Sequence, residues 1–181
     1  YDLPQNVPVF LFVGRLMWYK GIRIILDALK TLREKNVDFR MVFVGEGADG
    51  AEIRSYAEER KLSDRCFFTG AISDREIIRA WYGRSDLFLF PSTFDTNGLV
   101  VREAAASGTA TVMIRNSCAS EGVGDGRNGF CIEENAAAMA AKLEELCRAP
   151  EVMQVVGEIL QVDLTRIRVM PANTGKVPNA S

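Results

Sequence analysis

Pro8-Val9-Phe10-Leu11-Phe12-Val13 is a continuous apolar run cut off by Gly14. No polar residue alternates within it. The strand it predicts must therefore be covered on both faces, as strands of a parallel sheet are. Ile22, Ile25, Leu26, Leu29 and Leu32 then recur at helical spacing and predict an amphipathic helix with one core face. Phe39-Arg-Met-Val-Phe-Val44 is the second strand, stopped by Gly45-Glu46-Gly47. Buried strand, helix, buried strand is the crossover unit that joins parallel neighbours.

The alternation continues along the chain. A helix from about Asp49 puts Ile53, Tyr56 and Ala57 on one side, and Cys66 to Phe68 is a short third strand. Ser73-Asp74-Arg75-Glu76 has the spacing of a capping box and opens a predicted helix with Ile77, Ile78 and Trp81 inward. Leu87 to Phe90 is a fourth strand ended by Pro91, and Leu99 to Ser107 a helix closed by Gly108. Thr109 to Ile114 and Gly129 to Ile132 give the fifth and sixth strands. Ala136, Met139, Ala140, Leu143 and Leu146 mark a helix stopped near Pro150. The fold class is α/β: a Rossmann-like doubly wound parallel sheet of about six strands, helices on both faces, over residues 6–150. Residues 151–181 read as a helix from Glu151 to Leu160, then an extended or poorly packed tail from Gln161.

A chain of 181 residues suits one domain. Its 22 basic and 24 acidic residues leave a formal charge of −2, so no basic balance argues for nucleic acid. There is no histidine, which removes Ser-His-Asp and Cys-His catalysis and histidine metal sites. Cys66, Cys118, Cys131 and Cys147 form no C-x-x-C pair and read as reduced thiols of a cytoplasmic protein. Cys118 and Cys131 in particular are expected not to form a disulfide. No run of about 18 apolar residues predicts a membrane span. The chain starts at Tyr1 without Met or signal peptide and reads as a piece of a longer protein.

Ligands of such sheets bind beyond the carboxyl ends of the strands, so the loops at 14–20, 45–48, 91–98 and 115–128 carry the chemistry. In the first, Gly14 permits a sharp turn, and Arg15 and Lys20 suit a diphosphate, the guanidinium forking two oxygens. Two ordinary surface cations are the plain alternative. No G-x-G-x-x-G or Walker loop is present. In the second, Gly45-Glu46-Gly47 lets a base or ribose approach the backbone, or is simply a tight turn. The third is the sharpest signal: Phe90-Pro-Ser-Thr-Phe-Asp95-Thr-Asn97-Gly98-Leu99-Val100-Val-Arg-Glu103. It leads from a buried strand into a helix N-terminus, whose amides favour an anion. Asp95 and Glu103 are placed to accept hydrogen bonds from sugar hydroxyls; a helix-start acid and a core ion pair are the alternatives. The fourth, Arg115 to Gly129, is glycine-rich and fits either close approach to a ligand or a flexible connection.

These loops in this order resemble the C-terminal donor-binding domain of GT-B fold glycosyltransferases, specifically the retaining, group 1 family with an E-x7-E motif. The matching pieces are Val13-Gly-Arg15 with Lys20-Gly21, Val44-Gly-Glu-Gly47, Phe90-Pro-Ser92, Asp95 to Glu103, and Asp125-Gly-Arg-Asn-Gly129. They cover about residues 8–148. The wording around Asp95 and Glu103 looks most like branches acting on lipid or cell-surface acceptors. The resemblance implies that Arg15 and Lys20 hold the donor diphosphate and that the helix start at Gly98, Leu99 and Val100 adds N–H groups. It implies that Glu103 binds the ribose hydroxyls and that Asp95 contacts the transferred sugar. These groups neutralise a departing diphosphate without a metal or other cofactor. UDP is the commonest nucleotide of the family. The sequence departs from the pattern where Asp95 replaces the first glutamate, where Asn97 replaces an aromatic, and in its tail after Leu160.

The resemblance also implies a missing N-terminal domain that holds the acceptor, so this chain alone is expected to be inactive. Any membrane contact is expected through that missing half, at the inner face. A non-catalytic nucleotide-binding regulatory module and a GT-B UDP-sugar epimerase are the alternatives. The absent G-x-G-x-x-G argues against a dehydrogenase.

Overall fold

A computed structural model describes residues 3–94 and 98–166, with side chains through Gln161. The apolar runs become six strands: β1 (Val9–Val13), β2 (Arg40–Val44), β3 (Cys66–Gly70), β4 (Leu87–Phe90), β5 (Ala110–Ile114) and β6 (Phe130–Ile132). They form one sheet in the order β3-β2-β1-β4-β5-β6, with every neighbouring pair parallel. The first four crossovers carry α1 (Ile22–Glu34), α2 (Gly50–Glu59), α3 (Arg75–Arg84) and α4 (Leu99–Ala106); a loop joins β5 to β6, and α5 (Ala136–Arg148) and α6 (Pro150–Arg166) follow the last strand. Rossmann-like α/β is thus the observed class.

Successive strand residues feed opposite faces. Phe10, Phe12, Met41 and Phe43 pack with Ile25 and Leu29 of α1 and with Met139 and Leu143 of α5. Val9, Leu11, Phe88 and Phe90 pack on the other face with Tyr82 of α3 and with Val101 and Ala104 of α4. Two cores, one on each face, account for strands with no polar alternation.

Three expectations need correction. Asp74, not Ser73, caps α3: its carboxylate accepts from the Glu76 amide at 2.8 Å. Ile77 does not face inward but is 48% exposed. With the helix begun at Arg75, the inward face runs through Ile78, Trp81 and Tyr82, and only Tyr82 is fully buried. The helix expected to stop at Leu160 continues to Arg166. Its residues Met153, Val156 and Leu160 are buried, and it packs on α4 and β5, so it belongs to the same packed unit as the sheet. Residues 167–181 lie outside the described residues. Two short 3₁₀ turns, Trp18–Lys20 and Cys118–Ser120, were not predicted. Among the described residues no helix is long and apolar enough to cross a membrane.

Candidate functional site

From β1 the chain steps through β2 to β3 on one side, then returns to lay β4 on the other side of β1. That reversal opens a crevice beyond the carboxyl ends of β1 and β4. The loops at this edge are fastened to one another. Gly14 N–H donates to the Val44 carbonyl at 3.0 Å and Leu16 N–H to the Glu46 carbonyl at 3.1 Å. At Gly45, with φ +135°, a Cβ would stand 2.0 Å from the Gly14 carbonyl oxygen, so only glycine lets the first two loops touch. At Gly21, with φ +76°, a Cβ would stand 2.3 Å from the Pro91 carbonyl oxygen, which joins the first loop to the one after β4. The Tyr19 ring meets Phe94 edge-on at 6.3 Å across the same seam. Gly98 in turn lies against Ala119 of the loop after β5.

Arg15 is exposed at this edge. Lys20 closes the 3₁₀ turn Trp18–Lys20, its ammonium 5.5 Å from the Tyr19 ring centre. The turn is held from beneath. Trp18 N–H donates to the Asp49 carboxylate at 2.8 Å, and the Trp18 ring packs edge-on against Tyr56 at 5.3 Å. The Arg23 guanidinium lies 4.4 Å and 4.5 Å from those two rings. An open depression of about 560 Å³ lies between Arg15, Glu46 and the first turn of α2, where Arg54 also borders it. Arg54, stacked over Phe68 at 4.6 Å, was not singled out in the sequence, because nothing in its helical spacing marks it.

At the start of α4, Gly98 is left-handed (φ 50°) and its carbonyl takes the Val101 and Arg102 amides. The N–H groups of the first turn precede the helical bonding pattern, as at any helix start. Leu99 is 62% exposed there and Val100 is half-buried. Asp95 and Asn97 lie outside the described residues. Glu103 sits one turn further on and accepts a hydrogen bond from the Tyr82 hydroxyl at 3.3 Å. Burial and the neighbouring Glu103 carboxylate push the Tyr82 phenol well above its ordinary range, so it is a fixed donor. Tyr82 was missed in the sequence. The available signal was a phenol on an apolar helix face, which needs a partner when buried.

The loop after β5 is firmly bonded rather than loose. Asp125 takes Arg115 at 2.8 Å through one oxygen and the Cys131 amide at 2.9 Å through the other. Buried Asn128 closes the turn onto Gly124 N–H at 2.8 Å. Burial raises the Asp125 pKa, but the Cys131 amide and Arg115 outweigh it and hold the carboxyl below its ordinary value. All four cysteines are free thiols, and Cys66 and Cys131 are buried.

A six-stranded parallel sheet whose strand order reverses at β1, with helices on both faces, defines a doubly wound domain of the α/β class. Residues 1–160 match the family described as glycosyl transferases group 1, and the chain belongs to that family. Among curated proteins it is 32% identical over 138 residues to the GDP-mannose-dependent alpha-(1-6)-phosphatidylinositol dimannoside mannosyltransferase of Mycobacterium tuberculosis, matching 76% of this chain and 35% of that one. The chain thus spans about a third of that relative's length. Among solved structures, the C-terminal domain of the group 1 glycosyl transferase LpcC from Francisella tularensis superposes with a TM-score of 0.79 at 23% identity, covering 90% of this chain and 88% of that one. Anabaena HepE in complex with UDP and glucose gives 0.77 at 23% identity, covering 89% and 44%. The architecture is that of the C-terminal half of a GT-B fold.

Proposed function

We propose that this chain is the donor-binding domain of a retaining glycosyltransferase that moves a sugar from a UDP-sugar to a glycan or lipid acceptor. The observation that carries the reading is the fastening of the loops after β1, β2 and β4 at one sheet edge, through the close backbone approaches at Gly45 and Gly21. Arg15 forks two diphosphate oxygens and Lys20 adds a point charge. The amides at Gly98, Leu99 and Val100 supply the positive end of α4. As the bond between the anomeric carbon and the diphosphate oxygen breaks, these groups take up the charge left on the nucleotide diphosphate. No metal or other cofactor is needed for that step.

Glu103 accepts from the ribose hydroxyls, Asp95 contacts the transferred sugar, and Asn97 is among the residues that bind the donor. Gly14, Gly45 and Glu46 border the nucleotide where the first two loops touch. The acceptor hydroxyl attacks from the face the diphosphate leaves, so configuration is retained. The acceptor site belongs to an N-terminal domain of the same enzyme, which works in the cytoplasm or at the inner face of the membrane. A solved neighbour holding UDP and glucose supports uridine, and a relative named for GDP-mannose makes guanosine the comparison.

Calorimetry of this chain with UDP, GDP and ADP tests the reading. UDP is expected to bind tightest. Arg15→Ala should weaken it about ten-fold or more, since a charge-assisted contact contributes roughly 1.5–3 kcal/mol. Tightest binding of GDP would change the base and leave the domain's role intact. No binding of any nucleotide diphosphate would overturn the proposal.

A further inference from the structure

We infer that Tyr82 is a positioning residue that divides the Glu103 carboxylate, occupying one oxygen and leaving the other to read the ribose diol of the nucleotide. This rests on the donor-domain reading above and adds to it the means by which the domain selects ribonucleotides. Tyr82 is 1% exposed and Glu103 is exposed, so the phenol reaches from the core to a surface carboxylate. Its hydroxyl meets Oε2 of Glu103 at 3.3 Å. Burial keeps the phenol protonated, so it can only donate to an ionised carboxylate.

The Tyr82 side chain has little freedom to follow Glu103. Its ring packs edge-on against Phe88 at 5.5 Å, and its own carbonyl accepts from the Thr109 hydroxyl at 2.7 Å. Phe88 belongs to β4, and Thr109 lies at the turn into β5, so the phenol is referenced to the sheet itself. Glu103 is a long side chain on a solvent-facing helical position and would otherwise sample several rotamers. With Oε2 bonded to the phenol, the side chain is confined, and Oε1 remains for a ligand. A carboxylate fixed at one oxygen discriminates by hydrogen bonding: a nucleotide lacking the hydroxyls forgoes the contact that the other oxygen is held in place to make.

The experiment compares UDP with 2′,3′-dideoxyuridine diphosphate by calorimetry on this chain. The wild type is expected to prefer UDP. Tyr82→Phe keeps the ring and its packing and removes only the hydroxyl. It should weaken UDP binding about five-fold, the share of one ordinary hydrogen bond, and leave the dideoxy compound unchanged. Glu103→Gln should lower the same preference, and adding Tyr82→Phe to it should cause little further loss, because both act through one carboxylate. Equal loss for both nucleotides in Tyr82→Phe, or full additivity in the double variant, would mark a merely structural tyrosine and overturn the inference. An unchanged preference in Tyr82→Phe would overturn it while UDP binding upholds the donor-domain reading. A wild-type chain that binds no nucleotide diphosphate would overturn that reading, and this one with it.

Discussion

Thiol chemistry separates the four cysteines by position. Cys66 is buried at the start of β3, and burial pushes its pKa far up, with Asp64 adding to the effect. Burial also raises Cys131, and it pushes Cys147 up to about 11. Cys118 alone is exposed, on the 3₁₀ turn beside Gly98. Since the thiolate is the reacting species, iodoacetamide near pH 8 should alkylate Cys118 first, with a single mass increment before any other. Early labelling of Cys66 in folded protein would contradict the packing. Ala119, the next residue, lies against Gly98, so the adduct should also weaken nucleotide binding. The phenol of Tyr82 shows the limit of sequence reading at this scale. Its partner lies 21 positions away, and no spacing rule links a residue of α3 to one of α4.

Helix α6 is decided by a close approach. A Cβ on Gly157 would stand 2.0 Å from the Gly108 carbonyl oxygen. Alanine favours a helix interior by about 1 kcal/mol over glycine. Here the clash is with backbone, which cannot yield cheaply. Gly157→Ala is therefore expected to destabilise the domain by roughly 1–3 kcal/mol, the usual cost of overpacking, as read by urea unfolding. A gain in stability would show that α6 is only loosely attached. The turn after β5 provides a pH signature. The folded Asp125 carboxyl titrates below its ordinary value, so its stabilisation is present above the unfolded pKa near 3.9 and fades as pH falls through the lower folded one. Asp125→Asn keeps an acceptor for the Cys131 amide and loses the charge facing Arg115. Its stability deficit should be plain at neutral pH and should shrink as the solution is acidified below about pH 4. A deficit of constant size would exclude the ion pair as its source.

Elements differ in how well they could be read. Strands β1 and β4 were legible as unbroken apolar runs, and β2 and β5 as runs broken only by Arg40 and Thr111, bounded in most cases by glycine or proline. The start of α3 was misread because Ser73 and Asp74 are both good caps and stand side by side. The end of α6 was misread because the sequence after Leu160 has no helical period of its own. Of the site, Arg15, Lys20 and the α4 start could be placed at the carboxyl edge from the strand–helix alternation alone, since each follows a strand of a parallel sheet. The anchoring of the Trp18–Lys20 turn by Asp49 and Arg23 could not, since it depends on contacts between α1 and α2.

At the scale of the molecule, on the donor-domain proposal, this chain is one wall of a binding crevice. Orientation and water exclusion between two walls can supply roughly 7–11 kcal/mol of a barrier. The chain alone should therefore bind UDP and transfer no sugar above background, and joining it to the remaining portion of its enzyme should restore turnover. A nucleotide-release assay on both forms, with binding measured in parallel, checks this. Sugar transfer by the 181-residue chain would refute the division of labour.

Strand order also sets a timetable. β1 is made first yet sits in the middle of the sheet, and its β4 side stays open until β4 arrives. The Val9 amide waits 77 positions for Asp86, its partner at 2.8 Å. At about 5–20 residues per second, a ribosome takes roughly 4–15 seconds to make that stretch. Through that interval Val9-Phe10-Leu11-Phe12-Val13, an uncharged segment of high strand propensity, has a bare edge. The nascent chain is most open to aggregation then, and the emergence of Leu87 to Phe90 ends the exposure.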